Sequence, residues 1–244
     1  MSRLRGLAAR GFPEEGTIFD VSELDLRVAE GEHPFVRDHG PAISRHWQME
    51  VAANPSLYDG GILFQHRLDH EDGRITGLAH MVPFSTLLYW RRHGRPEGAT
   101  HLFAMPLLVG ADGGIVAIRM SRTTANPGAV YCAAGSLDAH DIVGGRIDVE
   151  ANMAREVAEE TGLDLGTAQS EPRCKALHLD NTVVLVRVFS FNDDAETLAR
   201  RIEAHVAGEA EPEIDAPVII RDADPDRHPY AFFMPPILGW HFGR

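Results

Sequence analysis

The stretch Arg155-Glu156-Val157-Ala158-Glu159-Glu160-Thr161-Gly162-Leu163 reads as the end of a helix with three acids on one face. Glu156, Glu159 and Glu160 fall at i, i+3 and i+4, and on a 3.6-residue period those positions are neighbours. Met153, Ala154 and Val157 supply an apolar side able to dock on a sheet. Three carboxylates so close repel one another. Without a cation their pKa values rise and the helix loses stability. Hard divalent cations take oxygen ligands, so the cluster is a candidate site for Mg²⁺ or Mn²⁺. A plainer reading stays open for Arg155 to Glu160 alone: Arg155 paired with Glu159 at i+4 on a solvated face. The flanks weigh against it. Gly162 stands where a left-handed helix cap belongs, and the glycine turn Gly135-Ser136-Leu137-Asp138 lies upstream, directly after a short apolar run.

Outward from this helix, which the spacing predicts from about Val149 to Thr161 with Asp148 as its N-cap, strands lie on both sides. Leu102 to Val109 is a nearly continuous apolar run. Asp112-Gly113-Gly114 is a turn, and Ile115 to Met120 a second strand. Val130 to Ala134 is short and apolar. Thr182 to Phe191 is a strand able to bury both faces, and Ala195 to Val206 has helical spacing. The apolar tail Ala231 to Phe242 is interrupted by Pro235-Pro236 and reads as packed extended chain. Upstream, Pro41 reads as a first helical position, with a helix from Ala42 to Ala53. Gly61 to Leu68 and Arg74 to Met81 form a hairpin, and Phe84 to Arg92 a short helix. Arg95-Pro96-Glu97-Gly98 is the expected boundary. It divides an N-terminal extension, 1–96, from a main domain, 97–244.

Composition narrows the function. The chain has 244 residues, 44% apolar and 24% charged, which suits a globular protein with a proper core. A net charge of -13 argues against binding a nucleic-acid polymer or an anionic membrane, since both need a basic surface. A nucleotide-sized substrate stays open, because a metal inverts the local field. Cys132 and Cys174 match no zinc or disulfide spacing and read as reduced thiols. The arginines Arg3, Arg5 and Arg10 are followed by no apolar segment, and no stretch has transmembrane length, so a cytoplasmic location is expected. The 13 histidines are scattered without a metal-spaced pair.

Arg155 to Leu163 resembles the second half of the Nudix box, in which Arg-Glu-aliphatic-any-Glu-Glu-any-Gly-aliphatic follows a glycine and a glutamate at fixed spacing. Every fixed position of that half is matched. The first half departs from the pattern: Asp141 and Ile147 occupy the positions of the glycine and the glutamate. Aligning Gly135 with the opening glycine requires about six extra residues within Ala139 to Arg146 and puts Asp141 where the glutamate stands. The resemblance implies an α/β fold: a Nudix-type α/β/α sandwich with a mixed sheet, joined here to a small α+β N-terminal extension. It implies a metal-dependent pyrophosphohydrolase that cleaves a nucleoside diphosphate linked to another moiety, with Mg²⁺ as cofactor and Mn²⁺ able to substitute.

Carried across by position, Glu156, Glu159 and Glu160 resemble the metal ligands, with Glu156 alternatively the base that activates water. Arg155 resembles the arginine that orients them. Many relatives add a later acid, for which Glu209, Glu211 and Glu213 are in a suitable region, Glu213 foremost. Asp138 and Asp141 lie near the glycine turn. Arg119, Arg122 and Tyr131 are candidate substrate contacts, the arginines for phosphate and the tyrosine for stacking. The stretch from Trp47 through Asn54-Pro55-Ser56-Leu57-Tyr58-Asp59-Gly60-Gly61 resembles the N-terminal appendage of the UDP-glucose pyrophosphatase branch, which implies a nucleotide sugar as one substrate candidate; the other reading of the extension is a stabilising one that packs on the sheet or forms a dimer contact. The partner is then a small molecule, with no membrane and no polymer, and the protein a monomer or homodimer. Two alternatives remain. A nucleotide-sensing module without hydrolysis can dispense with the glutamates, whereas all three are present. An isomerase on the same fold needs a cysteine motif that is not found around Cys132.

Overall fold

The computed structural model describes residues 6–243; Arg3 and Arg5 lie outside them. The strands and helices follow one another as β1 (Ile18–Val21), β2 (Glu23–Val28), α1 (Pro34–Ala53), β3 (Gly61–Glu71), β4 (Arg74–Pro83), α2 (Phe84–Arg92), β5 (His101–Val109), β6 (Ile115–Met120), β7 (Val130–Tyr131), β8 (Ile142–Val143), β9 (Arg146–Ile147), α3 (Val149–Thr161), β10 (Gln169–Ser170), β11 (Cys174–Leu179), β12 (Thr182–Ser190), α4 (Ala195–Val206), β13 (Ile214–Ile220) and α5 (Met234–Phe242). This is the α/β class expected. Among the described residues no helix is long and apolar enough to cross a membrane.

The chain forms two compact units. The first comprises Met1–Phe103, Ser136–Val149 and Ala176–Val184; the second comprises Ala104–Gly135, Glu150–Lys175 and Leu185–Arg244. The sequence puts a boundary at Pro96. In the compact units, the first segment of the N-terminal one ends at Phe103, and two later segments belong to it.

That unit holds a mixed sheet in the order β3-β4-β2-β9-β8. β3 and β4 pair antiparallel from Gly61↔Pro83 to Glu71↔Arg74. Their turn is the two residues Asp72-Gly73, at φ 48° and 79°. Such a turn follows the natural twist of the strands, so the hairpin runs longer than expected. β2 joins β4 in parallel, Glu23↔Arg74 through Val28↔Ala79. Helix α1 starts at Pro34, well before Ala42. His33 caps it, its Nδ1 accepting the Phe35 N–H at 3.0 Å. Pro34 occupies the first turn, where a missing N–H costs nothing. Pro41 therefore lies inside the helix, preceded by Gly40, which has no Cβ to meet the proline ring. Phe35, Ile43, Ile62, Phe64, Val82, Leu87, Trp90 and Ala99 form this unit's core.

In the second unit β6 is central. It pairs antiparallel with β13, Ile214↔Met120 to Ile220↔Ile115, with a bulge between Ile214 and Ala216. It also pairs with β5 at Val109↔Ile115 and with β7 at Ile118↔Tyr131. β13 is not evident in the sequence because Asp215 and Pro217 break its apolar pattern. The tail also differs from expectation. Pro235 and Pro236 do not hold it extended; they fall in the first turn of α5, where proline is tolerated.

Candidate active site

Helix α3 buries Met153 and Val157 completely, and this fixes which way its acids face. Glu159 is turned to solvent, with 61% of its side chain exposed, whereas Glu156 is buried. Arg155 bridges the two: its Nη1 lies 2.7 Å from Glu156 Oε1 and 3.2 Å from Glu159 Oε2. The Ala134 N–H donates to Glu160 Oε2 at 3.0 Å. Burial, then the charges of Glu156 and Glu213, push the Glu160 carboxyl up to about 8; the Ala134 N–H opposes them, and Glu159 adds a smaller upward push.

Gly135 makes room for this arrangement. A Cβ there would lie 2.2 Å from Glu156 Cδ and Oε2, so only glycine lets the chain pass the buried carboxylate. The turn after β7 and the acidic face of α3 are therefore in contact at Ala134 and Gly135. The C-terminal end of α3 is closed by Gly162, at φ 67°, whose N–H donates to the Ala158 carbonyl at 3.0 Å. His205 of α4 also reaches this end. Its Nε2 lies 2.9 Å from the Glu159 carbonyl oxygen and 3.2 Å from Glu209 Oε1.

The later acids separate by position. Glu213 bears on Glu160, while its backbone carbonyl accepts the Ser121 N–H at 2.9 Å. Glu209 is occupied with His205. Arg119 is half-buried in β6, opposite Val130 and Ala216, and Arg122 is exposed just beyond the strand. Tyr131 is not open for stacking. It is buried, packs edge-on to Phe233 at 5.9 Å, and its hydroxyl accepts from Asn126 Nδ2 at 3.3 Å. Asp138 and Asp141 belong to the N-terminal unit and form a capping box there: the Asp138 N–H donates to Asp141 Oδ2 at 2.9 Å, and the His140 N–H to Asp138 Oδ1 at 2.7 Å. Burial pushes the Cys132 thiol up to about 12, and Cys174 is raised for the same reason, so neither is an activated nucleophile.

Among the described residues no three His, Cys, Asp or Glu side chains are grouped to hold a metal ion. In this arrangement Arg155 draws Glu156 and Glu159 together, while Glu160 is held by Ala134. By donor type the set suits a hard divalent cation. It is all oxygen, and the Glu160 carboxyl is raised first by burial and then by its acidic neighbours, whose repulsion a cation would offset.

No protein-family model matches the chain, and no curated protein matches it. Solved structures do. A NUDIX hydrolase from Nitrosomonas europaea is 18% identical, covering 59% of this chain and 90% of that one, with a TM-score of 0.35. DR0079 from Deinococcus radiodurans is 14% identical, covering 49% of this chain and 66% of that one, with a TM-score of 0.33. A MutT protein from Methanosarcina mazei Go1 is 20% identical, covering 38% of this chain and 64% of that one, with a TM-score of 0.27. The aligned parts span just under two thirds of the latter two chains.

Proposed function

We propose that the protein is a divalent-metal-dependent pyrophosphohydrolase of the Nudix type. One observation carries this reading. Glu160 is recessed on α3, bonded to a backbone N–H and crowded by Glu156, Glu213 and Glu159. A bound cation would offset the repulsion among acids gathered on this helix. The Arg155-to-Leu163 pattern agrees with it.

Glu156, Glu159 and Glu160 would hold Mg²⁺ or Mn²⁺, with Glu213 the candidate fourth carboxylate. When bound, the ion supplies positive charge against the pyrophosphate oxygens. The chain's own residues supply position. Arg155 donates to Glu156 and Glu159 and sets their spacing. Ala134 fixes the Glu160 rotamer through its N–H. Gly135 keeps the backbone clear of Glu156. Hydrolysis joins a water oxygen to phosphorus and breaks the bridging P–O bond, and Glu156, if not a ligand, is the candidate base for the water's proton. Arg119 and Arg122 are candidate phosphate contacts, and a nucleotide sugar is the candidate substrate.

The test is a panel of nucleotide sugars, dinucleoside polyphosphates, NAD(H), ADP-ribose, CoA and nucleoside triphosphates, with phosphate release followed in Mg²⁺ and in Mn²⁺. Turnover of at least one compound is expected, abolished in Glu159→Gln and Glu160→Gln with the fold retained. Full activity in either variant removes that residue from the site. Silence across the panel with tight nucleotide binding would replace hydrolysis by nucleotide sensing.

A further inference from the structure

The last turn of α3 is a poor helix end by its own residues. It carries Glu159 and Glu160 where the backbone carbonyls already concentrate negative charge, and it has no basic residue. The final carbonyls of a helix also lack donors from within it. Here the Val157 carbonyl accepts the Thr161 hydroxyl and the Ala158 carbonyl accepts the Gly162 N–H. The Leu163 N–H, which would serve Glu159 in a continued helix, donates instead to Thr161 Oγ1 at 3.2 Å.

The donor for Glu159 comes from α4. His205 Nε2 is 2.9 Å from its carbonyl oxygen and 3.2 Å from Glu209 Oε1. Two acceptors facing one ring nitrogen place the proton on Nε2. The other edge of the ring fills the space beside Gly162, where a Cβ would lie 2.6 Å from Nδ1 and 2.8 Å from Cγ. Gly162 is thus required twice, by its left-handed backbone and by the ring against it.

We propose that His205 is a positioning residue for the carboxylate cluster. Its Nε2–H holds the last turn of α3 closed, and with it the backbone that aims Glu159 and Glu160. The inference rests on the reading of that cluster as a metal site. Outer partners that orient ligands are worth about 10- to 100-fold in metal affinity in known sites.

The experiment is Mn²⁺ binding to the full chain, followed by the paramagnetic resonance of free Mn²⁺, for the wild type, His205→Ala, His205→Gln, His205→Asn and Glu160→Gln. Near-ultraviolet circular dichroism monitors the fold. His205→Ala should weaken Mn²⁺ binding about tenfold or more. His205→Gln, whose amide nitrogen reaches about as far as Nε2, should recover most of it. His205→Asn, one methylene shorter, should not. Should His205→Ala fail to fold, the Gln and Asn pair decides. On a substrate found by the panel, the loss should fall on kcat at fixed metal, with KM little changed. Wild-type affinity in both His205→Ala and His205→Asn overturns the proposal. Equal impairment in Gln and Asn overturns it as well, because it assigns the effect to ring packing rather than to the hydrogen bond. Equal Mn²⁺ binding by wild type and Glu160→Gln strikes the underlying metal-site reading, a failure recognised in that variant and not in the histidine series.

Discussion

Glu160 shows how one side chain carries both a cost and a use. Its carboxyl is raised to about 8 by burial and by Glu156 and Glu213, so in the metal-free protein ionisation opposes folding. The unfolded chain gives up that proton in the ordinary carboxylate range, near 4.5, whereas the folded chain keeps it until about 8. The stability this group contributes is therefore present below pH 4.5 and is lost as pH rises to about 8. At this partly exposed site the loss should be about 2 kcal/mol after screening. In chelator, Glu160→Gln should melt above wild type at pH 8 and close to it at pH 5. A lower midpoint than wild type at pH 8 would show that the carboxylate is a net stabiliser without metal. The three acids on α3 are legible in the sequence because a helical period puts i, i+3 and i+4 together. The contributions of Ala134 and His205 are not legible: a backbone N–H has no residue signature, and His205 reaches Glu159 from 46 positions away.

Two elements expose their logic to substitution. The turn after β7 passes the buried Glu156 without a side chain, so Gly135→Ala must push either the turn or the carboxylate aside. Overpacking of this kind costs about 1–3 kcal/mol. Hydrolysis should fall more steeply than stability, because the displaced group is Glu156; a chemical melt beside an activity assay separates the two, and unaltered activity would place Glu156 outside the chemistry. Helix α1 is capped by a histidine, and its Nδ1 accepts an N–H only while unprotonated. Burial holds His33 down at about 4; the Gln65 backbone opposes this, and His80 and His66 add to it. The unfolded imidazole takes its proton near 6.5, so stability is lost as pH falls from about 6.5 to about 4. The ceiling is about 3 kcal/mol. Asparagine caps helices without titrating, so urea unfolding of His33→Asn should show a flatter profile between pH 7 and pH 5. A slope equal to wild type would place the acid sensitivity elsewhere. The start of α1 is not evident in the sequence because Pro41 looks like a helix start, whereas it lies inside the helix.

For the whole molecule, the question is where the chain divides. A fragment of residues 97–244 keeps the acidic helix but strips segments 136–149 and 176–184 of the unit in which they pack. Leu137 would lose the Leu63 N–H that its carbonyl accepts at 2.7 Å, and β9 would lose β2 at Arg27↔Arg146. The fragment should therefore lack a cooperative thermal transition; a sharp melt near that of the full chain would show that the N-terminal unit is dispensable. Local sequence by itself determined the acidic face of α3, its glycine stop, the hairpin of β3 and β4, and the apolar strands β5, β6 and β12. Each depends on a short-range period or a turn residue that acts on its neighbours. Tertiary structure alone decided that segments 136–149 and 176–184 return to the first unit and that Tyr131 is buried against Phe233. Those outcomes depend on which distant surfaces meet, and no local pattern encodes them.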